Sequence, residues 1–165
     1  QKYIYYFFDN KYYRIPTYGK IFKIIDFGRS IFTYRNKVYM NDVFSKNSEA
    51  WGQFKYPSQI KFLIQDSDLD GCTPNYNFDL CRLSMTILDE LGEDKLSSEL
   101  YELLNLMSTD KNGDNFCEMS DDFSLYINIS KNSVNSLPSD ILKNKIFKRY
   151  KVSKKQFPHK LYYKI

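Results

Sequence analysis

The rhythm of hydrophobic and polar positions changes along the chain. Residues 3–8 form an aromatic run of high strand propensity, broken at Asp9-Asn10-Lys11 and resumed from Tyr12 to Ile15. This pattern predicts a β-hairpin with an Asp-Asn turn. Pro16 ends it, because proline brings no N–H to a sheet ladder. Ile21, Phe22, Ile24 and Ile25 predict a third strand that delivers Asp26-Phe27-Gly28 at its end. Residues 29–77 show no sustained period and carry scattered Gly, Pro, Asn and Asp, which reads as a functional loop or as short elements without a signature.

Beyond that loop the period becomes helical. Leu80, Leu83, Ile87, Leu88 and Leu91 recur at three- and four-residue steps and stop at Gly92. Leu96, Leu100, Leu103, Leu104 and Met107 repeat the pattern. Phe123, Ile127 and Val134 predict a third helix. Ile141, Leu142, Ile146 and Phe147 predict a fourth, starting just after Pro138. Strands first and helices after give an α+β fold.

Composition narrows the class. With 165 residues, 42% hydrophobic and 27% charged, the chain is globular and holds one domain or a large piece of a bigger one. Its apolar runs fall far short of the ~20 residues that span a bilayer. The opening Gln-Lys-Tyr-Ile has no small-residue cleavage site, so no secretory signal is expected. A first residue of Gln rather than Met reads as a processed or truncated piece. Cys72, Cys81 and Cys117 fit neither a disulfide framework nor a CxxC zinc site, and read as buried thiols in a reducing cytosol. The single histidine, His159, reads as a surface residue.

The net charge of +4 hides a pattern. Residues 1–61 carry eleven Lys and Arg against four acids, residues 62–122 three against fifteen, and residues 123–165 ten against one. Basic flanks of this kind suit phosphate or nucleic acid, but faces that neutralise one another across the fold are the favoured reading.

The sharpest chemical signal is Lys20-Ile21-Phe22-Lys23-Ile24-Ile25-Asp26-Phe27-Gly28-Arg29. A strand here sets a carboxylate at its end, and glycine lets the backbone turn directly afterwards. Magnesium takes hard oxygen ligands, often one or two carboxylates plus substrate phosphates, and Asp26 supplies one such ligand. Downstream, Pro74-Asn75-Tyr76-Asn77-Phe78-Asp79-Leu80-Cys81-Arg82-Leu83 puts Asp79 at the head of a helix, where the dipole favours it.

Strand, Asp-Phe-Gly, irregular loop and then an Asp-led helix resemble the C-terminal lobe of a protein kinase. Residues 18–29, 78–83 and 122–126 (Asp-Phe-Ser-Leu-Tyr) are similar to divergent kinase-like proteins of giant DNA viruses. The resemblance implies one partial domain over 1–165: strands up to Gly28, an activation segment over 29–77, and a helical C-lobe over 78–165. It implies an ATP-dependent Ser/Thr protein kinase in a parent protein, with Asp26, Phe27 and Gly28 at the cofactor site and Asp26 on magnesium. Asp79 would brace the catalytic loop. The implied partners are ATP, a protein substrate and an N-terminal lobe, with neither membrane nor nucleic acid, in a cytoplasm (the host's) or a virion.

The chain also departs from that pattern. Its glycines at 19, 28, 52, 71, 92 and 113 cannot form a Gly-rich loop, and His159 follows the Asp-Phe-Gly instead of preceding it in a His-Arg-Asp loop. No Ala-Pro-Glu closes the activation segment, and Pro74-Asn75 stands in its place. The missing motifs, with the catalytic base, are expected upstream of Gln1, and the piece alone is expected to be inert. The alternative is a non-catalytic module, either a pseudokinase scaffold or a calcium-binding domain.

Calcium enters through Asp66-Ser67-Asp68-Leu69-Asp70-Gly71, which fits the first half of an EF-hand loop. Position 12 of that loop is Asn77 rather than Glu, so a solvated acidic loop is favoured. Asp110-Lys111-Asn112-Gly113-Asp114 places its glycine two positions early and reads as an inter-helix turn. Tyr34, Tyr39, Ser45 and Ser48 are hydroxyls of the expected activation segment that a kinase could modify, but ordinary exposed loop hydroxyls are the favoured reading. The aromatic strands, flanked by Lys2, Lys11 and Arg14, read as sheet packing rather than as a base-stacking platform.

Overall fold

A computed structural model of the chain describes residues 2–27, 30–35, 37–39, 75–119, 123–157 and 163–164. Contacts divide it into two compact units, one of residues 1–25 with 142–165 and the other of residues 26–141.

The first unit is built on the expected hairpin. Strands β1 (Tyr3–Phe8) and β2 (Lys11–Pro16) pair antiparallel, from Tyr3 opposite Pro16 to Phe8 opposite Lys11. Asp9 and Asn10 turn the chain with φ of 48° and 55°. Two left-handed residues make the turn whose twist matches that of the strands, and Asp and Asn accept this conformation more readily than most residues. Lys11 closes the turn with an ion pair to Asp9, which holds the Asp9 carboxyl below its usual range and the Lys11 amine above its own.

Both flanks of the hairpin are taken by the end of the chain. In the order β5-β2-β1-β6, β5 (Lys151–Val152) lies antiparallel to β2, and β6 (Tyr163–Lys164) runs parallel to β1. Phe157 is buried, with its ring edge-on to Tyr5 at 5.8 Å and 4.7 Å from Tyr12. The expected C-terminal helix is replaced by α4 (Pro138–Ile141) and a 3₁₀ stretch, Lys145–Tyr150. Asn144 starts that stretch afresh by accepting the Ile146 N–H, so the periodic residues 141–147 do not form one helix.

The third strand expected at 21–26 is not formed. After β2, Thr17 accepts the Gly19 N–H on its hydroxyl and the Lys20 N–H on its carbonyl, and Tyr18 and Gly19 take positive φ. The chain turns away, and β5 and β6 already occupy the edges beside β2 and β1. Residues 20–26 therefore run without a sheet partner, with Phe22 92% and Ile24 84% exposed.

The second unit opens with a small hairpin, β3 (Phe32–Tyr34) and β4 (Lys37–Tyr39), inside the segment expected to be irregular. Helix α1 (Phe78–Leu91) ends at Gly92, whose N–H bonds the Leu88 carbonyl. Helix α2 (Ser98–Met107) follows a 3₁₀ turn at Glu93–Lys95, and α3 (Phe123–Asn132) follows another at Phe116–Glu118.

The core contains Cys81, Met85, Phe116, Leu125 and Ile129, with Phe78 and Met119 packed against it. The buried side of α1 is rotated from the leucine pattern. Cys81, Ser84 and Met85 are buried, while Leu83 and Leu91 are exposed. Cys81 and Met85 pack with Phe116, Leu125 and Ile129, and Ser84 meets Ser108 at the end of α2, so the buried contacts of α1 fall off the leucines.

Candidate functional site

Asp26 sits at the end of an exposed segment rather than of a strand. Its φ is 60°, a left-handed value uncommon for any residue other than glycine, although Asp is among the side chains that adopt it. Phe27 follows, 65% exposed, and begins a turn in which its carbonyl accepts both the N–H and the hydroxyl of Ser30. Gly28 lies outside the described residues, as do Asp66, Asp68, Asp70, Cys72 and His159.

Asp79 lies in the first turn of α1, exposed, where the helix dipole stabilises a carboxylate. One turn later Arg82 stacks on the Tyr126 ring at 4.8 Å and donates to its hydroxyl at 3.4 Å. Phe78 meets the same ring at 6.3 Å. Two stretches that carry the kinase resemblance, around residues 78–83 and 122–126, are thus in contact across 44 positions.

The approach to α1 is tied down by amides. Asn75 Nδ2 donates to the Ser133 carbonyl at 2.8 Å, the Ser133 hydroxyl at 3.1 Å and the Ser130 carbonyl at 3.3 Å. Its Oδ1 accepts the N–H and side-chain amide of Asn77. Asn77 Oδ1 in turn accepts the Ser136 N–H at 3.0 Å, and the Ser136 hydroxyl donates to the Asn77 carbonyl at 2.7 Å. Ser130, Ser133 and Ser136 are all buried. In the sequence Asn75 stands out only as the neighbour of Pro74. Its serine partners carry no sequence signal, because they lie more than fifty positions away.

The Asp110 turn is closed by its own carboxylate. Oδ1 accepts the N–H groups of Asn112 and Asp114, and Oδ2 the Asn112 side-chain amide. Asn135 donates to the Thr109 hydroxyl and the Asp110 carbonyl. Asp110 is buried and its oxygens serve the turn, which connects α2 with the 3₁₀ helix at Phe116–Glu118.

Beside this turn opens a cavity of about 630 Å³ whose lining includes Asp89, Glu93, Tyr101, Asn105, Asp114 and Glu118. The acidic block of the sequence contributes four carboxylates here. They do not converge: among the described residues, no group of three His, Cys, Asp or Glu could hold a metal ion.

The two described cysteines are free thiols in different settings. Burial pushes the Cys81 thiol up to about 12. Cys117 is exposed, contrary to the expectation of a buried thiol, and its pKa is raised by partial desolvation and by the charges of Asp89 and Glu118, against a lowering hydrogen bond with Ser108. Among the described residues no helix is long and apolar enough to cross a membrane. Compared with family models, curated proteins and solved structures, the chain finds no match in any of the three.

Proposed function

We propose that this chain is the C-terminal lobe of a protein-kinase-like phosphotransferase that moves the γ-phosphoryl group of ATP to a Ser or Thr hydroxyl of a protein. The observation that carries the reading is the backbone of Asp26. It holds a left-handed φ of 60° outside any hairpin turn, at the position where the sequence sets Asp-Phe-Gly. Non-glycine residues in such sparsely populated regions cluster at functional sites, where surrounding structure maintains the strain. The contact of Arg82 with Tyr126 adds support, because it joins two stretches that carry the resemblance.

In this reading Asp26 faces magnesium and the ATP phosphates, and Asp79 is a positioning residue for the loop that holds the substrate hydroxyl. Magnesium, when bound with nucleotide, neutralises charge developing on the transferred group. Phe27 packs beneath the nucleotide site, and Gly28 supplies the backbone freedom for the turn.

The test is transfer of labelled phosphate from Mg·ATP to casein or histone by the whole protein that carries this chain. Asp26→Asn should lower transfer by roughly a thousandfold or more, because the neutral amide loses the charge facing the metal. Asp68→Asn should leave transfer within twofold, on the order of measurement scatter. Transfer indifferent to Asp26, together with calcium binding lost in Asp68→Asn, would reverse the assignment in favour of a calcium-binding module.

A further inference from the structure

We propose that residues 18–25, carried by the basic first unit, dock this chain onto a bilayer surface that contains anionic lipid. The inference stands apart from the phosphotransfer reading, since it uses neither Asp26 nor Asp79.

Two independent observations carry it. The first is charge. The fold gathers both basic flanks of the sequence into one unit. Within that unit, residues 2–25 and 142–157 carry twelve Lys and Arg against one acid, Asp9. All of the twelve except Arg14 are exposed. Asp9 is ion-paired with Lys11, and the charges of Lys143 and Lys151 also hold its carboxyl low. Neutralisation does not come from within the unit, and an excess of this size attracts anionic surfaces.

The second is what the unit leaves uncovered. Tyr18, Ile21, Phe22, Ile24 and Ile25 fall within eight residues, with Ile21 58% exposed and the other four at least 78%. The exposed Lys20 and Lys23 are interleaved with them. The base of the segment is fixed, because the Thr17 N–H bonds the Lys2 carbonyl at 3.0 Å and the Lys20 N–H bonds the Thr17 carbonyl at 2.8 Å. These side chains are therefore presented from the end of a paired hairpin and not from a fraying terminus.

Interleaved apolar and cationic side chains need a surface that satisfies both. Single-stranded nucleic acid would neutralise the lysines and stack on Tyr18 and Phe22, but Ile21, Ile24 and Ile25 have no flat face for a base. A second copy offers apolar area while bringing the same excess of positive charge. An anionic bilayer offers opposite charge and apolar depth together. Its headgroup oxygens meet the lysine ammonium groups, and the acyl boundary about 5–10 Å below receives Phe22 and the isoleucines. The backbone of residues 20–25, which has no sheet partner, stays at headgroup level, where its polar groups keep their water.

The test is flotation of the purified chain with vesicles of phosphatidylcholine and phosphatidylserine in equal parts. Vesicles of phosphatidylcholine alone and a lipid-free control for self-association run beside it. Affinity for the anionic vesicles should be at least roughly tenfold higher than for the neutral ones, and added salt should weaken it by screening. Phe22→Ser with Ile24→Ser should lower that affinity by about tenfold or more, through lost apolar burial. Lys20→Gln with Lys23→Gln should lower it on the order of tenfold and reduce its salt dependence. All four side chains are exposed, so both double variants should keep the wild-type circular dichroism spectrum.

Equal flotation with the two vesicle types, or anionic binding untouched by either pair of substitutions, overturns the proposal. Loss in one pair alone overturns the two-part interface and leaves charge or apolar contact acting by itself. A chain that does not float but is retarded by polyuridylate on a native gel assigns the basic unit to single-stranded nucleic acid instead.

Discussion

Ser84 and Ser108 place their hydroxyl oxygens 2.9 Å apart, both fully buried, where α1 meets the end of α2. Each is also within reach of a carbonyl of its own helix, Cys81 for Ser84 and Leu104 for Ser108. Two hydroxyl protons serve three such contacts, so the pair acts as one unit. Ser84→Ala should destabilise the chain by about 1 kcal/mol, and the double variant with Ser108→Ala by less than the sum of the singles. Urea unfolding followed by circular dichroism, run as a double-mutant cycle, gives the coupling. Strict additivity would mean that the two hydroxyls act separately.

Cys81 links stability to alkaline pH. Its thiol holds its proton up to about 12 in the folded chain, against an ordinary 9.0 once unfolded. Between those values the unfolded chain binds fewer protons than the folded one, so this contribution falls as pH rises above 9 and is complete below it. Cys81→Ala should flatten the loss of stability between pH 7 and about pH 10.5 relative to wild type. Parallel slopes for the two proteins would remove Cys81 as the source.

Gly92 ends α1 with φ 68° and ψ 170°, a combination essentially confined to glycine. A methyl group there would meet no atom within 4 Å, so the cost of Gly92→Ala is conformational and not steric crowding. Thermal and chemical unfolding should report a loss of about 1–3 kcal/mol. A neutral substitution would show that the end of α1 relaxes freely.

The segment from Ile21 to Phe27 presents Phe22, Ile24, Ile25 and Phe27, each at least 65% exposed. Large apolar side chains exposed in this number drive association. Sedimentation of the purified chain should show concentration-dependent self-association that Phe22→Ser with Ile24→Ser reduces. A monomer at high concentration, or association untouched by the double variant, would assign the cause elsewhere.

Local signals made several elements legible. Asp9-Asn10 between two aromatic runs specified the hairpin, because only a turn with left-handed residues joins such strands so tightly. Gly92 marked the end of α1, and Leu103, Leu104 and Met107 marked the buried side of α2. The acidic cavity draws Asp89, Glu93, Asp114 and Glu118 from the acidic block of residues 62–122, which the sequence alone reads as a solvated face.

By itself, then, the sequence determined those features whose cause lies within one turn or one helical period: the hairpin and the three main helices. Tertiary structure decided the rest. Residues 21–26 have strand propensity but no strand, because β5 and β6 reach the flanks of the hairpin first. Cys81, Ser84 and Met85 face inward where the leucine spacing pointed elsewhere, because Phe116, Leu125, Ile129 and Ser108, all distant in sequence, choose the buried side. The amide ties of Asn75 and Asn77 exist only when a connector more than fifty residues away brings Ser133 and Ser136 within hydrogen-bonding distance. Propensity and period act on neighbours along the chain, whereas edge occupancy, close approach and buried polar pairing depend on groups that sequence leaves far apart.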